Sequence, residues 1–131
     1  MTAPVIVNWR TGLAIYGFDP VAYFTEGAPL QGRADVELVF EGVTWRFRND
    51  ANRAAFAAHP EIYRPRFGGY DPLALMRGIA TAGNPLLWLI HGGRLYFFHD
   101  PASRAAFAAN PASVVKASDA AWPRVEPTIV P

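Results

Sequence analysis

Three histidines, His59, His91 and His99, are the side chains in this chain best suited to hold a metal. Imidazole binds zinc, copper, nickel and haem iron. His91 and His99 bracket a predicted hairpin, which carries them toward the open ends of two neighbouring strands. A transition-metal or haem site built from His99 with His91 or His59 is therefore one expectation. A second cluster is the run Arg64-Pro65-Arg66-Phe67-Gly68-Gly69-Tyr70-Asp71. Two guanidiniums flank a proline, and the paired glycines let another backbone approach closely. A helix opening at Asp71 would add amide donors for an anion. Trp45 supplies a flat wall, and Tyr63, Phe67, Tyr70, Trp88 and Tyr96 enlarge the aromatic set.

Each of these residues also has a structural role to fill. Asp19, Asp71 and Asp100 all directly precede proline at predicted helix starts, where a carboxylate caps the first amides. Tyr70 and Trp45 suit a core. Arg64, Arg66, Tyr70, Asp71 and Trp45 stand as candidate ligand-binding residues. Asp71 with Arg66 in a cleft beside Gly68-Gly69 is the arrangement a small enzyme would use. No catalytic set accompanies it. The only serines are Ser103, Ser113 and Ser118, and none lies in a Gly-x-Ser-x-Gly turn. There is no dinucleotide fingerprint either.

Composition narrows the classes further. The 131 residues make room for one domain. With 51% hydrophobic and 18% charged residues the chain reads as a folded globule. It has no cysteine, which excludes disulfides, thiolate zinc sites and a cysteine nucleophile. A net charge of +1 gives no reason to expect nucleic acid. The longest apolar run, LLWLI at 86–90, is far short of the ~20 residues a bilayer takes. No basic leader followed by an apolar stretch opens the chain, so a cytoplasmic location is expected.

The elements that position these residues follow from a repeated pattern. Residues 42–60 (GVTWRFRNDANRAAFAAHP) and 93–111 (GRLYFFHDPASRAAFAANP) align without a gap at ten identities in nineteen positions. The first copy reads as strand 37–40, a turn at Glu41-Gly42 and strand 43–47. The second reads as strand 86–90, a turn through Gly92-Gly93 and strand 94–99. A helix follows each hairpin, capped at Asn49 or Asp100 and stopped at Pro60 or Pro111. Each helix carries one large apolar side chain, Phe56 or Phe107, amid alanines. Arg53 and Arg104 are expected to be solvated there, costing under ~1 kcal/mol when truncated. Short helices are predicted after Asp19-Pro20 and Asp71-Pro72. A last helix over 111–122 is stopped by Pro123, and the end, PTIVP, is expected to be an extended strap or frayed. The fold class is α+β: one small domain, 1–131 with its core at about 14–123, of two hairpin-plus-helix units packed together.

Four pieces of the chain, in order, resemble the YHS domain family: YGFDPVAYFTEG (16–27), WRFRNDANRAAFAAHPEIYRPRFGGY (45–70), GGRLYFF (92–98) and ASDAAWP (117–123). The likeness is to its stand-alone branch, in which a YHS core is extended by a second hairpin and a Trp-Pro tail. It spans roughly positions 14–123. Many YHS domains have a suspected metal-binding role through cysteines. The positions the resemblance assigns to those cysteines carry Ala22, Arg48, Asn52 and Asp71 here. The resemblance thus implies the fold without the metal ligands. The resulting expectation is a non-enzymatic binding or interaction module for a small molecule or protein, with no cofactor, no nucleic acid and no membrane. Exposed aromatics on a hairpin edge would make it a homodimer.

Overall fold

The structure, a computed structural model, describes residues 4–129. It has two hairpins, β1 (Arg33–Phe40) with β2 (Val43–Phe47) and β3 (Asn84–His91) with β4 (Arg94–Phe98). Six α-helices accompany them: α1 (Ala22–Thr25), α2 (Asp50–Ala58), α3 (Pro60–Tyr63), α4 (Pro72–Met76), α5 (Pro101–Ala109) and α6 (Pro111–Val125). This is the expected α+β domain. Both hairpins are antiparallel, and each forms its own two-stranded sheet. The strands and the helix of one unit have the bounds of the other shifted by 51 residues. Each hairpin even carries its register shift at the same place, between Arg33 and Glu37 in one and between Asn84 and Trp88 in the other.

The correspondence reaches further back than the gapless alignment. Gly17-Phe18-Asp19-Pro20-Val21-Ala22 and Gly69-Tyr70-Asp71-Pro72-Leu73-Ala74 sit 52 residues apart. Phe18 bridges Gln31, and Tyr70 bridges Ala82. The amide of Gly32 donates to Gly17 and that of Gly83 to Gly69, at 2.8 and 2.9 Å. Each unit is thus a tight turn, an Asp-Pro helix, a hairpin and a second helix.

Packing distinguishes the two hairpins. In β2 only Trp45 and Phe47 are fully buried, so one face meets the core and the other solvent. In β4 Leu95, Tyr96, Phe97 and Phe98 are all buried. Leu95 and Phe97 join the core around Trp45 and Phe56, whereas Tyr96 and Phe98 join the one around Phe107. The continuous apolar run is the signature of a strand covered on both faces, and β4 is the partition between the two halves of the core. Tyr23 fastens the seam. Its hydroxyl donates to the Pro85 carbonyl at 2.7 Å, and its ring meets Trp88 and Phe97 at 5.2 and 5.4 Å.

Several local expectations are corrected. β1 and β3 begin earlier than expected, because Arg33 and Asn84 pair with the ends of β2 and β4 across the bulge. Pro123 does not stop the last helix, which runs to Val125. A proline costs a helix one amide donor, and burial of Val125 against the second core offsets that loss. The expected strap is instead a single 3-10 turn over Glu126–Thr128, and residues 130–131 lie outside the described residues. The two helix arginines are not simply solvated. Arg104 Nε donates to the Trp88 carbonyl at 2.9 Å, and Arg53 reaches the equivalent Glu37 carbonyl at 3.4 Å. Both carbonyls lie where the bulge interrupts the ladder, so the arginine takes up an acceptor the partner strand misses. Arg104→Ala is expected to cost ~0.5–1.5 kcal/mol, as for an ordinary hydrogen bond. Arg53→Ala, which loses a longer contact to its carbonyl and an exposed pair with Asp50 at 2.8 Å, should cost no more than Arg104→Ala when both are measured by urea melts.

Candidate functional site

The helix after α2 and the helix after α5 both begin at a proline, Pro60 or Pro111, but they end very differently. Pro65 forces the preceding Arg64 out of the helical region, to φ −69°, ψ 145°, and α3 ends at Tyr63. In the other unit Val115 and Lys116 stand at those positions. There α6 continues, laying Val114 and Val125 against Tyr96 and Phe107. The shorter helix leaves a cavity of about 290 Å³ walled in part by Trp45. The first hairpin's tip, the Arg64–Gly68 turn, Arg94 of the second hairpin and the end of α6 at Trp122 and Glu126 enclose it. Pro4 and Val5 close one side.

Trp45 is the most informative wall residue. It is 2% exposed, and its indole Nε1 has no hydrogen-bond partner among the described residues. A buried N–H left unpaired costs ~1–3 kcal/mol, and the ring could have been a phenylalanine at no such cost. Three guanidiniums line the same cavity. Arg66 pairs with Asp119 and stacks 4.7 Å over Phe67. Arg64 lies 3.4 Å from Glu41 and 5.8 Å from the Phe40 ring. Arg94 donates to the backbone carbonyl of Glu61. Phe67, edge-on to Trp122 at 5.5 Å, holds a left-handed φ of 57°. Its counterpart Ile15 is also left-handed at φ 45°, so that strain belongs to the turn and not to the cavity.

Of the five candidate ligand-binding residues, Arg64, Arg66 and Trp45 line the cavity, and Tyr70 and Asp71 do not. Tyr70 is half-buried against the first core, and burial pushes its hydroxyl above the ordinary tyrosine value. Asp71 is fully buried. Its Oδ1 accepts from the Leu73 amide at 2.8 Å, the cap bond, which takes away the carboxylate that an Asp71–Arg66 cleft requires. The glycine pair does permit a close approach, but by the protein itself. A Cβ at Gly68 would lie 2.0 Å from the Pro4 carbonyl oxygen, and Ile6 donates to Gly68 at 2.8 Å.

Asp71 and Asp19 form matching buried knots. Asp19 Oδ1 accepts from the amides of Val21 and Ala22, and its Oδ2 from the Arg48 amide and the Asn52 side chain, both at 2.8 Å. Asp71 Oδ2 accepts from the His99 amide at 3.0 Å and faces His99 Nδ1. Ser103, at the position of Asn52, places its hydroxyl 3.3 Å from the same nitrogen. Ala22, Arg48 and Asn52 thus gather around Asp19, whose oxygens are filled by N–H donors. Those residues do not fit a metal.

The three histidines have separate surroundings. His59 faces Glu61 at 3.5 Å, and His91 is edge-on to Phe107 at 5.9 Å. His99, its side chain 32% exposed, lies between Asp71 and Asp100, with Nε2 3.0 Å from Asp100. The Ser103 amide, with help from the His99 charge, holds the Asp100 carboxyl below its ordinary value. Among the described residues no group of three His, Cys, Asp or Glu side chains could hold a metal ion. No described helix is long and apolar enough to cross a membrane. The most exposed aromatic, Trp9 at 82%, lies in a turn outside the hairpin strands.

Reading the sequence alone misses Arg94, Trp122 and Glu126 at the cavity. Arg94 stands at Val43's position in the other unit, and a charge where the matching unit has an apolar residue was the available signal. No family model matches the chain, and no curated protein and no solved structure matches it.

Proposed function

We propose that the chain is a non-enzymatic binding module, YHS-like in fold, that takes a small molecule in the cavity between Trp45, the Arg64–Gly68 turn, Arg94 and Trp122. The observation that carries this reading is the make-up of the cavity wall, in which the rings of Trp45, Phe67 and Trp122 stand beside Arg64, Arg66 and Arg94. The three guanidiniums have N–H groups left over for a ligand's acceptors. The volume, about 290 Å³, is at the lower limit for small-molecule sites. It suits a small metabolite. The wall holds carboxylates and guanidiniums but no serine, histidine or lysine to attack or to exchange protons near neutral pH.

The test is a thermal-shift screen of small polar metabolites on the wild type and on Arg94→Gln. The variant keeps a polar side chain in the wall and removes the guanidinium. Hits that raise the wild type's melting temperature should bind Arg94→Gln about tenfold more weakly, the worth of one hydrogen bond to a charged group. Hits of equal affinity for both proteins would place the ligand elsewhere.

A further inference from the structure

The charge on the cavity wall narrows the class of ligand. Arg64, Arg66, Arg94, Glu41, Glu61 and Glu126 line it, so the lining carries as many carboxylates as guanidiniums. Each guanidinium has an acidic neighbour. Arg64 lies 3.4 Å from Glu41, and Arg66 pairs with Asp119. Arg94 acts on Glu61, whose own backbone amide, with His59 and Arg94, holds its carboxyl below the ordinary value. An anion therefore finds the three cations already answered and three carboxylates around it. An organic cation fares no better. Three guanidiniums stand around the same space, and ring faces that would receive it are already covered, Phe67 by Arg66 at 4.7 Å and Phe40 by Arg64 at 5.8 Å. An uncharged ligand meets neither cost.

A plain hydrocarbon does not suit the wall either. The guanidiniums keep N–H groups beyond those in use, and the Glu126 carboxylate accepts no hydrogen bond among the described residues. Covering these groups with hydrocarbon would cost their hydration. The fitting ligand offers acceptors to a guanidinium and donors to a carboxylate. Both groups are planar forks that engage two neighbouring atoms at once, which asks for a rigid ring with such pairs along its edge. Trp122, half-buried and packed edge-to-face on Phe67 at 5.5 Å, gives that ring an aromatic surface to lie against. The phosphates of a nucleic-acid strand find no unanswered cation here, so the ligand is a free small molecule.

We infer that the cavity binds an uncharged, flat lactam heterocycle, the chemistry of a guanine base. Its adjacent N–H groups donate to the Glu126 carboxylate, its carbonyl oxygen and ring nitrogen accept from Arg94, and its ring packs against Trp122. This inference rests on the proposed binding role of the cavity.

Isothermal titration at neutral pH separates the two. The probes are guanosine, N1-methylguanosine (no ring N–H), adenosine (no ring N–H and no carbonyl) and guanosine monophosphate (an added anion). Guanosine should bind at least about tenfold tighter than N1-methylguanosine and adenosine, and the monophosphate no tighter than guanosine. Glu126→Gln should weaken guanosine about tenfold and leave adenosine unchanged, and Arg94→Gln should weaken guanosine to a similar degree. Both side chains are part-exposed, and the wild-type series decides the matter should either variant fail to fold. If adenosine or N1-methylguanosine binds as tightly as guanosine and is weakened by Arg94→Gln, the lactam inference fails and the cavity remains a binding site. Tighter binding of the monophosphate, or guanosine binding untouched by Glu126→Gln, overturns the inference in the same way. If no nucleoside binds while unrelated screen hits depend on Arg94, the result is again the same. If nothing binds in an Arg94-dependent manner, both readings fail.

Discussion

Phe107→Ala and Phe56→Ala are each expected to cost ~3–5 kcal/mol, a large share of the ~5–15 kcal/mol such a domain has in total. Both side chains are buried, at 1% and 0% exposure. Phe56 meets the rings of Phe40, Trp45 and Phe47 at 5.5, 4.8 and 5.4 Å. Phe107 meets His91, Tyr96 and Phe98 at 5.9, 4.9 and 5.1 Å. The partners are equivalent residues of the two hairpins, position for position. Rigid rings on one side and alanines on the other leave little that can collapse into the hole, so the upper half of that range is expected at both sites. Urea melts should give two losses within ~1 kcal/mol of each other. If Phe107→Ala were nearly neutral while Phe56→Ala unfolded the protein, the second unit would be a decoration on the first.

The second large effect belongs to the buried carboxylates. Asp19→Ala strands the amides of Val21, Ala22 and Arg48 and the Asn52 side chain. Each unpaired buried donor costs ~1–3 kcal/mol, less where water can enter, so a loss of at least ~3 kcal/mol is expected. Asparagine separates the two knots. At position 19 either orientation of the amide turns its NH2 against two donors. At position 71 it can face the Leu73 amide alone and keep its oxygen on His99. Asp71→Asn should therefore be milder than Asp19→Asn by ~1 kcal/mol or more in urea melts. Equal losses would mean that the donor count at each oxygen does not set the cost.

The hairpins and their helices were legible because turn glycines, caps and prolines act locally. The unit's earlier part, from Gly17 to Ala22 and from Gly69 to Ala74, escaped the gapless comparison because one extra residue separates it from the hairpin in the first unit. The Asp-Pro pairs were visible, but only as two isolated caps. Half of the candidate site was legible. Arg64 and Arg66 flank a proline whose effect on the backbone can be foreseen, and that proline does open the cavity. Trp45 reads as a core residue because Tyr96 occupies the matching slot; that its N–H finds no partner depends on what faces it. Glu126 and Trp122 come to the cavity only because α6 runs on through Pro123, a tertiary outcome that overrides a local stop signal. The pairing of Asp71 with His99 needed the spatial match between His99 and Arg48, which the repeat contained.

The indole N–H resonances of the four tryptophans test the central claim most directly. Trp45 and Trp122 line the cavity, Trp9 is exposed on a turn, and Trp88 packs on Tyr23. On titration with the tightest screen hit, followed by ¹H–¹⁵N correlation spectra, the Trp45 signal should move as the ligand packs against the cavity wall that its ring helps to form. The Trp122 signal should move with it, and those of Trp9 and Trp88 should stay. A saturating ligand that leaves Trp45 in place, or shifts Trp9 or Trp88 instead, would contradict the assignment of this cavity as the binding site.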